Sequence, residues 1–511
     1  MRSANFFVIV VLALLKISEA GGSTFNVKGF TTAFNQTFNY GGNGASILKR
    51  ISDTITNRSA PVTPTVGSRS SSFAEDFSLF EKLQSHNRER ILDRIVHAKG
   101  AGALGYFIVT NDVTKYTKAG FLQSVGQRTN VAVRFSTVHG ESGSADTAID
   151  PKGFATKFYT DDGIYDFVGM NGEVFPIRDV MLFADLNRSR KRNPYTHLTD
   201  YTAWWDFTSL CPETTLHTLQ MFSDEAMPKS LTYIDGHSVH TYKLINAKGS
   251  AVYVKLHWTS NQQNKEYFTL NESIQMAGTN PDFLIEDLRT RIERKEYPSW
   301  TLSYQVMTLD QATKHYQNPF DITKFWKRED YPLIPVGLMV LDKNPTDYLT
   351  QIEQLAFNPS NLVPGIASSP DRILQARIFS YSDAQLHRLG TNFAHTSVNK
   401  CPFETNTNSN PSGPIYFPNS FSSPGSNFKQ FVLEANDTAI ERIDDYDDDY
   451  FSLATFYLEE QVDSAQRKRI CSNIATFLGK AHILVQRNFL KNIAYNVSKE
   501  FGDCIKSTLC I

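Results

Sequence analysis

Along the chain, the first stretch whose apolar order demands burial is Arg94-Ile-Val-His-Ala-Lys-Gly-Ala-Gly-Ala-Leu-Gly-Tyr-Phe107. Its glycines at 100, 102 and 105 weaken it as a strand and admit a backbone or a flat ligand at close range. Val131 to Val138 then alternates, so that Arg134 and Ser136 share one face and Val133 and Phe135 the other. Phe154 to Thr160 and Ile164 to Val168 flank Asp161-Asp162-Gly163, a hairpin turn. A second hairpin follows where His240 to Asn246 and Ser250 to His257 flank Ala247-Lys248-Gly249. Repeated hairpins favour a closed antiparallel barrel, with a sandwich as the alternative.

Outside this region the pattern changes. From Gly21 to about Asp76 the composition is Gly, Ser, Thr and Asn with little apolar periodicity, which reads as an extended arm. Between about Phe320 and Asn436 a Pro-, Asn- and Ser-rich path is too long for a plain loop and reads as a segment wrapping the barrel or a neighbouring subunit. It contains one helical run, around Asp371 to Leu389. After Tyr450 the chain turns helical: Asp463 with Gln466 caps a helix whose stripe of Ile470, Ile474, Phe477, Leu478 and Ala481 is core packing.

With 511 residues and 41% hydrophobic content the chain can build a large core and more than one domain. A formal charge of -2 gives no signal for nucleic acid. Residues 1–20 carry Arg2, the apolar run Phe6 to Leu15 and the small-residue site Ser18-Glu19-Ala20, the pattern of a secretory signal. That run is too short to span a bilayer and no later one is long enough, so the expectation is a soluble, secreted protein without a membrane anchor. Six glycosylation sequons, at Asn35, Asn57, Asn187, Asn271, Asn436 and Asn496, agree with that address. Of the five cysteines, Cys504 and Cys510 form the nearest local pair, and at least one of Cys211, Cys401, Cys471, Cys504 and Cys510 stays unpaired within the chain.

Chemistry enters with two segments. His97 stands at the head of the buried glycine-rich run, where a single histidine is more often a satisfied core residue than a catalyst. In Arg377 to Arg388, helical spacing brings Arg377, Tyr381 and Arg388 to within about 40° of one another around the axis. An arginine one turn from a tyrosine favours the phenolate, and phenolate oxygen is one of the few protein ligands that suits ferric haem. The plain alternative for that helix is a solvated Arg-Tyr-Arg face.

These residues and several separated blocks resemble the haem catalases of the small-subunit kind. The blocks are Arg88 to Ile91, Arg94 to Gly102, Arg134 to Thr137, Gly140 to Thr147, Lys191 to Pro194, Asp330 to Gly337 and Arg377 to Gly390. The resemblance covers roughly residues 75–500. It implies an α+β fold built on an eight-stranded antiparallel β-barrel, divided as signal 1–20, arm 21–75, barrel domain 76–342, wrapping segment 343–440 and C-terminal helical domain 441–511. It also implies haem b as cofactor, hydrogen peroxide as substrate and a homotetramer. His97 becomes the distal base, Ser136 the residue that orients its ring, and Tyr381 the iron ligand held ionised by Arg377. Arg94, Arg134 and Arg388 become partners of the haem propionates, with Phe175 and Phe183 packed on or near the porphyrin.

The sequence departs from the family where it matters most. The distal asparagine of the family's Val-Gly-Asn-Asn is Met170 here, in Val168-Gly-Met-Asn171, and a thioether has no amide donor. Asn171 is adjacent but faces the other way if the chain is extended. Pro176, Ala184, Asp185, Asn187 and His139 make the expected approach to the haem more polar. In the region where many such catalases carry NADPH, His217, Ser223, Lys243 and Trp326 match, whereas Glu225, Thr259 and Arg328 replace an arginine, a lysine and a histidine, so NADPH is not expected to bind. Three functions follow: a secreted catalase with impaired turnover, a catalase-derived haem-binding protein with little dismutase activity, or a peroxidase of organic or lipid hydroperoxides.

Overall fold

The computed structural model describes residues 77–400, Asn419's neighbour Ser420, and residues 449–511. The signal segment, the arm, residues 401–419 and 421–448, Cys401 and the sequons at Asn35, Asn57 and Asn436 lie outside the described residues. The chain forms two compact units, 1–90 and 91–511. In the first, the described element is the helix Phe77–Asn87.

In the second, ten strands make one antiparallel sheet: β1 (Gly100–Val109), β2 (Arg128–Thr137), β3 (Lys152–Thr160), β4 (Gly163–Met170), β5 (Gly236–His237), β6 (Tyr242–Ile245), β7 (Ala251–Ser260), β8 (Ser299–Thr308), β9 (Ile334–Lys343) and β10 (Ile366–Ser368). Pairing runs β8-β9-β1-β2-β3-β4-β5-β7 and returns from β7 to β8, which closes an eight-stranded barrel. β6 continues the line of β5 along β7, and β10 adds to its edge. Both predicted hairpins are present, β3–β4 turning through Asp161-Asp162 between Thr160 and Gly163, and β6–β7 through residues 246–250.

Alternation explains the packing. Val131, Val133 and Phe135 point into the barrel, where Phe107, Phe135, Phe154, Phe158, Trp258 and Trp300 form an aromatic core with none more than 2% exposed. The opposite face of the same strand carries Ala132, Arg134 and Ser136, all buried as well, so something must cover the wall from outside. The cover is the path expected to wrap the barrel: Ile352, Leu355 and Phe357 pack with Ala132, Val168 and Tyr381. Gly105 allows a close approach on the other side of β1, because a Cβ there would lie 2.0 Å from the Val340 carbonyl oxygen of β9, at a shift of register.

Two expectations need correcting. The Pro-rich path beginning near Phe320 is not free of strands, since β9 lies within it and closes the barrel. Pro335, set at a register shift against β8, broke the strand signal without breaking the strand. The disulfide joins Cys471 to Cys504, with Cα atoms 6.4 Å apart, and not Cys504 to Cys510. Six residues along the one helix Lys499–Leu509 and its cap turn the two side chains to different sides, whereas Cys471 faces Cys504 from the packed helix Ser464–Leu478. Cys211 and Cys510 are free. Cys504→Ser is expected to remove about 3–4 kcal/mol from the stability of the oxidised protein, given the 33-residue separation. Denaturant unfolding with and without reductant checks it: the difference must vanish when the parent is reduced.

The described C-terminal helices make a second core, in which Trp205, Phe222, Phe477 and Phe489 meet the predicted stripe of Ile470, Ile474 and Leu478. Asp463 caps that stripe's helix by accepting from the Gln466 amide at 2.7 Å. Among the described residues no helix is long and apolar enough to cross a membrane.

Candidate active site

The site lies against the outer face of β2–β4. His97, just before β1, has φ 68°, a left-handed conformation that a β-substituted residue adopts only when its surroundings hold it there. They do: its amide donates to the Val138 carbonyl at 2.8 Å, and its carbonyl accepts from Arg134 Nη1 at 2.8 Å. The ring is thereby turned so that Nδ1 sits 2.9 Å from Ser136 Oγ, leaving Nε2 for the pocket. Burial pulls the imidazole down to about 3, with the Arg134 cation acting in the same direction, so it is a neutral base at ordinary pH.

A residue absent from the sequence reading makes this arrangement possible. A Cβ on Gly153 would lie 2.5 Å from Ser136 Oγ and 2.6 Å from His97 Nδ1. Gly153→Ala is expected to displace the imidazole and lower peroxide turnover by about 10- to 100-fold. Steady-state oxygen release with haem content measured in parallel checks it, and an unchanged rate would show that the ring can move without consequence.

Across the pocket runs the helix Arg372–Leu389. Asp371 caps it by accepting from the Leu374 amide at 3.0 Å, and also pairs with buried His240 at 2.5 Å. One turn apart on it, Arg377 Nη2 donates to Tyr381 Oη at 2.6 Å. The predicted shared face is therefore real between those two. Arg388 is directed further along the same helix, to the carbonyls of Glu353 and Leu355 at 2.7 and 2.8 Å. Arg94 reaches those two carbonyls from the opposite side at 2.9 and 3.0 Å, and bonds the Glu353 carboxylate at 2.7 Å. Arg134 Nη2 comes within 4.0 Å of that carboxylate.

Three guanidinium groups thus converge on one residue, Glu353, two of them at its carboxylate and Arg388 at its carbonyl, and nothing in the sequence pointed to it. Burial, with Arg134 and Arg388 close by, lowers Arg94 well below the usual arginine value, and Arg388 is drawn down to about 10 mainly by burial. Buried Arg134 Nε has no hydrogen-bond partner. Such a cluster calls for a further anion.

The pocket between His97 and Tyr381 is lined by Val138, Met170, Phe175, Phe183 and Arg377. Phe175 and Phe183 lie stacked, with ring centroids 6.4 Å apart. Met170, 7% exposed, occupies the end of β4 and packs with Val239, Ile322 and Ile373. Asn171 is elsewhere: its side-chain oxygen accepts from the Lys152 amide at 2.7 Å, its own amide donates to the Lys152 carbonyl at 2.8 Å, and it lines a different cavity.

Over residues 53–427 the sequence matches the catalase family. Relatives include the catalase of Glandirana rugosa, 43% identical over 87% of this chain and 86% of that protein, and that of Drosophila melanogaster, 43% identical over 89% and 93%. Among solved structures, catalase A from Saccharomyces cerevisiae superposes with a TM-score of 0.80 at 35% identity, covering 88% of this chain and 96% of that one. The chain belongs to the catalase family. It is an enzyme of that class, and the family implies a haem cofactor and hydrogen peroxide as substrate.

The donor set fits a catalase haem: an Arg-supported phenol on one side, a neutral imidazole on the other, two aromatic rings in the wall, and a cationic cluster deficient in anions where carboxylate substituents would lie. Around this catalase pocket the replacements separate into two groups. Pro176, Asn187 and His139 line it, and His139 is bonded to Asp150 at 2.6 Å. Asp185 does not, contrary to expectation, because it projects outward from the helix Leu182–Ser189 to pair with Arg188. Ala184 is likewise exposed. In the second cavity, His217, Ser223, Glu225 and Arg328 come together, while Lys243, Thr259 and Trp326 are not part of its lining.

Proposed function

We propose that this catalase binds haem between His97 and Tyr381 and disproportionates hydrogen peroxide with a turnover weakened by Met170. The observation that carries the reading is the thioether beside His97 combined with the engagement of Asn171 by the Lys152 backbone, which leaves the distal pocket without the family's amide. Tyr381 would hold the iron, with Arg377 favouring its phenolate, and Arg94, Arg134 and Arg388 would hold the propionates. Haem bound there would supply the iron chemistry that peroxide disproportionation needs. His97 takes the proton from the near peroxide oxygen and returns it to the leaving oxygen, while Ser136 keeps the ring oriented. The cofactor is haem b by analogy with the family.

Oxygen release by the purified, haem-loaded protein tests this reading, with the haem spectrum recorded alongside. Tyr381→Phe is expected to lose the tyrosinate-ligated spectrum and the activity together. Firm haem binding with no measurable oxygen release would favour the haem-binding protein instead. The polar lining by His139 and Asn187 favours the remaining reading, in which organic hydroperoxides are accepted. Incubation with a lipid hydroperoxide decides it, and recovery of all the substrate would dispose of it.

The setting we propose is extracellular. The leader-like residues 1–20, exposed sequons at Asn271 and Asn496, and a disulfide between two packed helices all suit an oxidising compartment. Assembly as a homotetramer is proposed from family membership, with Met181, Tyr195 and Leu198 as exposed apolar candidates for subunit contact. Light scattering on the purified protein reads the assembly state. NADPH is not retained in this proposal, since Glu173, Glu225 and Asp235 line the cavity where it would lie and repel its phosphates.

A further inference from the structure

That same cavity, of about 240 Å³, is lined by Glu173 and His237, behind which His257 is buried, and these three belong to no step above. His237 on β5 and His257 on β7 are cross-strand neighbours, 6% and 3% exposed, with their Nδ1 atoms 2.8 Å apart. Glu173 reaches them from the segment after β4, and one donor atom from each of the three residues lies within 4.8 Å of the others.

The structure assigns to Glu173, His237 and His257 a binding site for a divalent transition ion, for which zinc is the natural probe. Two imidazoles and one carboxylate are a recurrent zinc ligand set, usually with a further position left open to solvent or substrate. Two nitrogens each about 2.05 Å from one ion stand about 2.9–3.3 Å apart, so the imidazoles need to open by only a few tenths of an ångström.

The surroundings prepare the ligands. His257 Nε2 faces Gln305 Oε1 at 3.0 Å, and the Gln305 amide group is committed as donor to the carbonyls of Trp326 and Tyr331 at 3.0 and 2.7 Å. Gln305 therefore accepts the His257 Nε2 proton, which fixes the tautomer and leaves a lone pair on Nδ1 aimed at the site. The contact between the two rings then makes His237 Nδ1 the hydrogen-bond donor, so its proton moves to Nε2 when an ion takes that position. The cavity offers a way in, and its carboxylates favour a cation: Glu225, which accepts from Gln466 at 2.8 Å, and Asp235, paired with Lys265 at 2.8 Å, lie in the same wall.

One group opposes the ion. Arg328 is ion-paired with Glu173, and its charge must move before a cation can share that carboxylate. Its side chain is 39% exposed, so it can turn into solvent. The site is therefore a contest between an arginine and a metal for one carboxylate, which yields effects of opposite sign from two neighbouring residues.

The test is calorimetric titration of ZnCl2 into the haem-loaded full chain after removal of metals with EDTA, with the haem spectrum as a control for folding. One zinc per chain is expected. Glu173→Gln is expected to weaken it at least tenfold, and Arg328→Met to tighten it about tenfold. The melting temperature should rise with zinc in the parent and in Arg328→Met, and by less in Glu173→Gln. Absence of saturable binding in both the parent and Arg328→Met would overturn the proposal. Equal affinity in all three proteins would also overturn it, because zinc would then be held by other histidines.

Discussion

Met170→Asn is expected to raise oxygen release from hydrogen peroxide by about 100- to 1000-fold, the range that one preorganised donor contributes where charge develops in a transition state. The side chain at this position ends β4, in register with Gly153 on β3 and with His237 on β5, so its direction is set by three strands. An asparagine there points its amide into the pocket beside His97, where the thioether now contributes only packing. The gain should appear in kcat with the haem spectrum little changed, since neither Tyr381 nor the arginine cluster is touched. Turnover of the parent already within about tenfold of the variant would mean that another donor holds the peroxide. It would also remove the reason for calling this catalase impaired.

The second large effect is loss of stability in mild acid. His97, His217 and His257 are each drawn down to about 3, primarily by burial, whereas an unfolded imidazole titrates near 6.5. Between those values the unfolded chain holds the additional protons. Stability is thus fully present above about pH 6.5 and is lost as pH falls toward 3. Three protons correspond to a slope of about 4 kcal/mol per pH unit near pH 5. His139 and His240 are shifted in the same direction by burial and add to it. Asp150, brought to about 2 by His139 and Lys152 against the effect of burial, extends the loss below pH 4. Urea unfolding of the holoenzyme at pH 7, 6, 5 and 4.5 reads the slope, and a flat profile over that range would contradict the burial of neutral imidazoles.

What could be read from the sequence was local. The Arg377–Tyr381 pair follows from helical spacing, the β3–β4 hairpin from Asp161-Asp162-Gly163, and the cap at Asp463 from a residue three positions ahead. The site as a whole was reached through motif resemblance, because no local rule brings His97 near Tyr381. What escaped was set by distant partners. Glu353 has no signal of its own until Arg94, Arg134 and Arg388 surround it. Gly153 looks like any strand glycine until Ser136 and His97 crowd it, and the partner of Cys504 depends on how two helices pack. The alternation rule did succeed for Asn171, whose side chain is turned to the neighbouring cavity as an extended chain requires.

The bond between Arg94 and Glu353 spans 259 residues. At a synthesis rate of about 5–20 residues per second, roughly 13–50 seconds separate the emergence of its two ends from the ribosome. Throughout that interval the wall bearing His97 exists without the helix bearing Tyr381. Until then a nascent chain presents only half of a cofactor pocket, and haem can be clasped only once the chain has been made as far as Arg388, about three quarters of its length. Loading is therefore a late event in the making of each molecule.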